Sequence, residues 1–300
     1  MKLRWLGSCS EQPPNAVDHH LRWFNLLFLV SLVVPSVVGP VTPAVQGDAQ
    51  RLAREVIQNE VRAEVKNDSL WDYRELKKKD GKELLLEYRE TKGGTIHRLL
   101  AIDGRPLNSG QRRAEDLRIQ KLIRSPEEVR AAQRIEDADA TRGRRLFKLF
   151  PDVFIFREVS REGNLITMEF RPNPKFHPSG NMGHVLHCLQ GTMVVDAEQK
   201  RLVSIDGRLT SEVKFWGGLA GHLDAGGTFS VSMQNVASGD WELKSLDIEM
   251  HGKAVLFKTI RVQEHDSYSN YTPVPPGTTL AQAAGRLQNE SWSWPAGHIE

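Results

Sequence analysis

The feature that most constrains the fold is a long run of alternating apolar and polar residues between Met182 and Gln263. Phe229, Val231 and Met233 alternate with polar neighbours, which is the period of a β-strand with one dry face and one wet face. Glycine-containing turns separate the alternating segments. The pattern predicts six strands joined by turns, at 184–189, 192–196, 201–215, 228–236, 241–251 and 254–263.

Five further strands are predicted nearer the N-terminus, at 70–76, 83–91, 95–103, 153–159 and 165–170. Trp71 and Tyr73 share one face of the first of these strands, and Tyr88 shares a face with two leucines of the second. The sequence therefore predicts an α+β protein that is mainly antiparallel β. We expect about nine to eleven strands in a strongly curved, incomplete β-barrel (a half-barrel), with amphipathic helices packed on or across it.

Helices are predicted before, between and after these strands. An apolar stripe at every fourth residue indicates an amphipathic helix over about 49–66 that lies against a sheet, and its members are Ala49, Ala53, Ile57, Val61 and Val65. Ser125 and Pro126 split a charged helical insertion at 111–145 into helices at about 111–124 and 126–139. Residues 279–287 favour one more short helix.

The N-terminal segment indicates targeting rather than folded structure. Arg22 precedes an apolar run at 23–38 that is followed by small residues, which is typical of a secretory signal peptide cleaved near 44–47. The alternative is an uncleaved anchor in the inner membrane. We therefore expect a signal or anchor at 1–47, one curved-sheet domain at 48–265 and a proline-containing linker and tail at 266–300. The mature protein is expected to be periplasmic or secreted, without a membrane span.

Charge and cysteine content restrict the function further. The formal net charge is only +2, which gives no reason to expect a nucleic-acid partner. The two cysteines are Cys9, inside the predicted signal segment, and Cys188, so a disulfide framework is excluded. Cys188 is interpreted as a small buried apolar side chain.

Two groups of residues are candidates for chemistry. Residues of the types that ligate metals cluster in the sequence at His177, His184, His187 and Cys188. On a strand, however, His184 and His187 would point to opposite faces, so we expect no metal and no cofactor. A second group shares one face of the predicted strand at 241–251, and its members are Asp247, Glu249 and His251. Such residues can do acid–base work, but a solvent-facing strand face is the favoured interpretation, and no catalytic residue is assigned.

The order of elements resembles that of the periplasmic outer-membrane lipoprotein-sorting carriers and their relatives in bacterial envelopes. The resemblance covers about 48–265 and is carried by Tyr73, by Gly93-Gly94 leading to the segment 103–107, and by Val194-Val195-Asp196 before the strand at 201–207. It implies a bent, incomplete barrel around helices, with an apolar cavity that binds the acyl chains of lipoproteins. No individual ligand-binding residue is carried over.

Three functions remain open from the sequence. The first is a non-enzymatic binding protein of the cell envelope with an apolar groove for acyl chains or for a lipidated partner. The second is an interaction or sensing module of the same fold without a lipid ligand, contacting a partner through the charged face at 111–145 or through Trp292 and Trp294. The third is a secreted hydrolase that uses Asp247, Glu249 and His251.

Overall fold

The structure is a computed structural model that describes residues 43–79, 81–178, 180–215, 221–237, 239–254 and 258–289. These residues form an α+β protein whose sheet is mainly antiparallel, so the predicted fold class is confirmed at this level. The predicted signal or anchor up to residue 42 lies outside the described residues, as do Trp292 and Trp294. No helix in the described part of the chain has both the length and the apolar character that a membrane crossing requires.

The elements are named here in chain order. They are α1 (Pro43–Lys66), β1 (Trp71–Lys79), β2 (Lys82–Thr91), β3 (Gly94–Ile102), β4 (Arg105–Pro106), α2 (Ser109–Arg124), α3 (Pro126–Val153), β5 (Phe154–Glu162), β6 (Leu165–Pro172), α4 (Gly180–His187), β7 (Leu189–Asp196), β8 (Arg201–Leu209), β9 (Val213–Lys214), β10 (Gly221–Leu223), β11 (Thr228–Ala237), β12 (Asp240–Ala254), β13 (Lys258–Pro273) and α5 (Leu280–Asn289).

The chain divides into two compact units, and each is made of two separate stretches. The first unit comprises the described residues up to Lys66 together with Ala140–Gln263, and the second comprises Asn67–Asp139 together with the described residues from Glu264 onward. Two elements, α3 and β13, contribute residues to both units. The predicted single domain at 48–265 and the predicted tail from 266 stay predictions beside this division.

In the first unit the strand order is β13-β12-β11-β8-β7-β6-β5, with β9 and β10 attached beside β12. Most neighbouring strands in this order are also consecutive in the chain, but β8 pairs with β11, and the order does not close on itself. Five phenylalanines from α3, β5 and β6 are at most 2% exposed and pack in the core with edge-to-face or tilted rings, and they are Phe147, Phe150, Phe154, Phe156 and Phe170. Helix α1 packs against β5 and β8 through its apolar stripe.

A buried ion pair fixes α1 to the sheet of the first unit. Glu60 is fully buried on α1, and its carboxylate accepts hydrogen bonds from Arg201 Nε at 2.8 Å and from the backbone N–H of Leu202 at 2.7 Å. The guanidinium of Arg201 also lies 5.8 Å from the ring centre of Trp241. A charged pair with several hydrogen bonds is among the stronger polar contacts in a protein, so this pair fixes the position of α1 on β8.

In the second unit the strand order is β4-β3-β2-β1-β13, and it also leaves its ends open. Helices α2 and α5 pack on the face of β3 that carries Ile96, where they form an apolar cluster with Ile119, Ala284 and Leu287. Asn108 begins α2 with a capping box, because its side chain accepts from the N–H of Gln111 while the side chain of Gln111 accepts from the N–H of Asn108.

Several predicted elements differ from the structure. The segment predicted as a strand at 184–189 is mostly helix α4, because its buried positions Gly183 and Leu186 lie three residues apart, which is helical spacing. The predicted strand at 201–215 ends at Leu209, where the chain turns and Thr210 bonds back to the carbonyl of Cys188.

The lengths of three other elements were also wrong. The predicted strand at 254–263 begins at Lys258 and extends to Pro273. The helix predicted over 126–139 continues to Val153, and the first helix begins at Pro43 rather than at 49. Val65 is 68% exposed, so the apolar stripe of α1 ends before it. The short helix predicted at 279–287 is confirmed as α5.

Candidate functional site

A buried cluster of lysines and carboxylates lies on β1 and β13 in the second unit. The antiparallel register sets Lys77 opposite Asp266 and Lys79 opposite Glu264. Alternation along β1 puts Glu75 on the same face as both lysines. We call these five residues the lysine–carboxylate cluster.

Short ionic contacts connect the members of this cluster. Lys77 Nζ lies 2.8 Å from Glu264 Oε1, 3.3 Å from Asp266 Oδ2 and 3.6 Å from Glu75 Oε1. Lys79 Nζ lies 2.9 Å from the other oxygen of Glu264. The side chains of Glu264 and Asp266 are fully buried, so these contacts act where solvent screens them little.

Burial and the excess of carboxylates perturb the pKa values in the cluster. Burial, together with repulsion from Glu75 and Glu264, outweighs the opposing effect of Lys77 and raises the pKa of Asp266 to about 8. Burial opposes the charged form of Lys77, but the attraction of Glu75, Asp266 and Glu264 outweighs burial and raises the pKa of Lys77. The lysines likewise lower the pKa of Glu264 in spite of its burial. The raised pKa of Asp266 favours its protonated form at neutral pH, which reduces the repulsion among the three carboxyl groups of the cluster.

An aromatic group lies beside the cluster on the same sheet. All four tyrosines of the chain belong to it. The ring of Tyr73 is stacked on Tyr88 at 4.9 Å and on Tyr271 at 5.3 Å, and it lies 6.2 Å from Tyr268. Trp71 meets Tyr271 edge to face at 6.2 Å. We call these five residues the tyrosine cluster.

Tyr268 connects the two clusters. Its hydroxyl donates a hydrogen bond to Glu75 Oε1 at 3.2 Å. Burial raises the pKa of Tyr268 well above its ordinary value, and the nearby charges of Glu75 and Asp266 raise it further. The phenol therefore stays protonated and keeps its role as a donor. The result is an apolar aromatic surface with a polar end.

His97 extends the aromatic surface onto β3, and its ring lies 5.1 Å from that of Tyr88. Burial and the positive charge of Arg118 together lower the pKa of His97 to about 4, although Glu115 opposes this. His97 is therefore neutral at neutral pH. Arg118 and Glu115 are held near this edge because they bond the carbonyl of His97 at 2.6 Å and the N–H of Leu99 at 2.8 Å.

The candidate acid–base residues of the sequence lie on β12 of the first unit. Asp247 and His251 are half-buried, and Glu249 is exposed and accepts a hydrogen bond from Gln263 at 3.4 Å. Alternate residues of a strand are separated by about 7 Å, so Asp247 and His251 stand about 13 Å apart. Three groups so spaced do not converge on one reacting atom.

The candidate metal-ligating residues are arranged differently from the prediction. His184 and His187 lie on α4, where a spacing of three residues puts them on the same helix face, so their predicted separation on opposite strand faces was wrong. Burial and the neighbouring His184 lower the pKa of His187. Cys188 follows the helix and is half-buried rather than fully buried. Within the described ranges, no group of three His, Cys, Asp or Glu residues could hold a metal ion.

The sequence did not predict either cluster in the second unit. The signals that could have indicated them are the alternating charges of β1 and the pair of tyrosines at Tyr268 and Tyr271, which were assigned to a tail. A scan against protein-family models, a search of curated proteins and a search of solved structures each find no match to this chain.

Proposed function

We propose that this protein is a non-enzymatic binding protein of the cell envelope, periplasmic or secreted, that holds an acyl chain of a lipid or of a lipidated partner. The observation that carries the proposal is the tyrosine cluster. It gathers all four tyrosines of the chain and Trp71 on one sheet in the second unit. Aromatic side chains of this kind offer a large apolar contact area and a polar tip.

The neighbouring side chains favour an apolar ligand with a polar end. The register sets Leu86 and Leu99 opposite each other on the face that also carries Tyr88 and His97. Tyr88, His97 and Leu99 are half-buried rather than enclosed in the core. An acyl chain would lie along the rings and leucines, and its polar head would lie near Tyr268 and Glu75.

The first unit supports placing the ligand in the second. Helix α1 packs on the sheet of the first unit, and the five phenylalanines in this core are at most 2% exposed. Close packing of this kind leaves little room for a chain. The proposal includes the strongly curved, incomplete barrel expected from the sequence, and the open strand order of each unit supports it.

Native mass spectrometry tests the proposal on the full chain, expressed with its own N-terminus and purified gently from the envelope of a bacterial host. The expected result is a set of adducts with lipid masses that disappear after organic extraction. The extracted protein should then bind a fluorescent fatty acid saturably. A protein without adducts that also fails to bind the fatty acid would rule the proposal out.

Two variants locate the binding surface. Tyr88→Ala removes a half-buried ring of the tyrosine cluster and should weaken fatty-acid binding about tenfold, because a buried aromatic side chain contributes about 1.5–3 kcal/mol. Leu165→Ala removes an apolar side chain that is 42% exposed in the first unit, and it should leave binding unchanged. Equal losses in the two variants would mean that the tyrosine cluster is not the binding surface.

A second candidate function is an interaction or sensing module without a lipid ligand. Two large apolar residues on the helical insertion favour it, since Leu117 is 66% exposed and Ile135 is 58% exposed. Cross-linking in envelope extract should then yield one saturable partner that Leu117→Glu abolishes. Retention of the partner by this variant would remove the candidate.

A further inference from the structure

A charged cleft of about 310 Å³ lies in the second unit, where β1, β2 and β13 meet α5. Its charged lining consists of Asp72, Arg74, Glu87, Arg89 and Arg286. Arg89 and Ile96 are partners in the register of β2 and β3, so the cleft is on the face that packs α2 and α5. That face is opposite to the one that carries Tyr88, because successive residues of a strand alternate.

The side chains of the cleft are held in place by one another. Arg89 Nη1 donates to Oδ2 of Asp72, and Arg286 Nη2 lies 3.0 Å from the same oxygen. Arg74 donates to Glu87 through Nε at 3.3 Å and through Nη2 at 3.1 Å. Asp72 and Arg89 are buried on their strands, so the polar side chains at the floor of the cleft are fixed in position, unlike mobile charges on an exposed surface.

The lining of the cleft has an unbalanced charge, and it contains buried polar atoms that lack a hydrogen-bond partner. Three guanidinium groups face two carboxylates, so the lining has an excess of one positive charge. Among the described residues, Oδ1 of Asp72 is buried and has no hydrogen-bond partner. Nη2 of Arg286 is also buried, and its contact with Asp72 has ion-pair distance but not hydrogen-bond geometry. A buried polar atom without a partner costs stability, so it requires an explanation.

We infer that this cleft binds a small carboxylate that carries a hydrogen-bond donor on the adjacent carbon, that is, an α-hydroxy or α-amino acid. The carboxylate of the ligand pairs with Arg286 and supplies the missing negative charge. The hydroxyl or ammonium group donates to Oδ1 of Asp72. A guanidinium group suits this role, because its planar donors match the two oxygens of a carboxylate.

The size of the cleft agrees with such a ligand. A volume of about 310 Å³ is at the lower end of the range for small-molecule sites, roughly 300–1,000 Å³. The site goes beyond the proposed acyl-chain function, because its charged side chains lie on the other face of the sheet, although Tyr73 of the tyrosine cluster also lines it. The failure of either proposal leaves the other standing.

Isothermal titration calorimetry of the full chain at pH 7 and low salt tests the inference with three matched probes. Succinate, L-malate and L-aspartate share one carbon skeleton and differ only in a hydrogen, hydroxyl or ammonium group on one carbon. Malate or aspartate should bind saturably and about tenfold or more tightly than succinate, because only they donate to Asp72. Tighter binding of malate identifies a hydroxy acid, and tighter binding of aspartate identifies an amino acid.

Variants separate the site from general charge effects. Arg286→Gln should weaken the preferred probe about tenfold or more, because the side chain is partly exposed on α5 and its loss removes the excess charge. Arg112→Gln removes the same charge from an exposed position on α2 and should leave affinity unchanged. Asp72→Asn should bring malate, aspartate and succinate to similar affinities.

Three results would overturn the inference. One is the absence of saturable binding by all three probes. Another is succinate binding as tightly as both malate and aspartate. The third is an Arg286→Gln effect no larger than that of Arg112→Gln in protein whose near-ultraviolet circular dichroism matches the parent.

Discussion

The ammonium nitrogen of Lys77 lies 2.8 Å from Oε1 of Glu264, and the two side chains are 16% and 0% exposed. The two residues are separated by most of the chain, yet the register of β1 and β13 brings them together. A buried charge is tolerated only with a partner, because its removal from water is costly. The stability of the second unit therefore depends on both residues being charged at the same time.

Lys77→Met should strongly destabilise the protein. The change leaves Glu75, Glu264 and Asp266 close together without their shared cation, and breaking a buried pair in this way costs about 3–5 kcal/mol. Urea unfolding followed by circular dichroism measures the loss. Lys78→Met is the matched control, because Lys78 is 54% exposed, and it should change stability by less than about 0.5 kcal/mol. A loss at Lys77 no larger than at Lys78 would show that the contacts in the cluster are weak.

Asp266→Asn should make the protein more stable at alkaline pH. The pKa of Asp266 is raised from an ordinary value of 3.8 to about 8, so its contribution is fully present below pH 3.8 and is lost as the pH rises through about 8. The amide imitates the protonated carboxyl and removes that loss. Melting temperatures at intervals from pH 4 to pH 9 should therefore diverge in favour of the variant as the pH rises.

The control for this experiment is Asp68→Asn at an exposed position of the same unit. Its melting curve should follow that of the parent across the whole range. A parent protein whose stability does not fall between pH 4 and pH 9 relative to Asp266→Asn would contradict the raised pKa of Asp266.

His97 should titrate far below the ordinary range for histidine. Its pKa is lowered from 6.5 to about 4, so its contribution to stability is present above pH 6.5 and is lost as the pH falls through about 4. Nuclear magnetic resonance of the imidazole protons should show one histidine with a midpoint near pH 4, and His97→Gln should remove that resonance. His177→Gln, at an exposed position, should remove a different one. A midpoint for His97 near 6.5 would mean that the ring is hydrated.

Local pattern was enough to predict much of the fold. The alternation of Phe229, Val231 and Met233 correctly indicated β11, in which Val231 is fully buried. Ser125 and Pro126 correctly marked the break between α2 and α3, because a proline fits the first position of a helix. These signals depend only on residues a few positions apart, so a single sequence is enough to recognise them.

Both clusters depend on contacts that no local pattern contains. The strand predicted at 70–76 stops before the three lysines at Lys77–Lys79, and the burial of Lys77 follows only from its pairing with Glu264 and Asp266 on β13. Helix α4 was missed for a different reason. Of its two positions described as buried, Gly183 has no side chain and Leu186 is apolar, so the three-residue spacing of these positions does not appear as an apolar pattern in the sequence.

The same substitution should have opposite effects at two glycines. In β7, an added Cβ at Gly191 would come within 1.8 Å of the backbone oxygen of Asp206 on the neighbouring strand, so the strands must shift. Gly191→Ala should therefore cost about 1–3 kcal/mol. At Gly285 in α5 nothing lies within 4 Å of an added Cβ, and alanine is the better helix former by about 1 kcal/mol.

Gly285→Ala should raise the urea midpoint while Gly191→Ala lowers it. A lower midpoint for Gly285→Ala would mean that α5 is not an ordinary helix at that position, and an unchanged midpoint for Gly191→Ala would mean that β7 and β8 are less closely paired than the register requires.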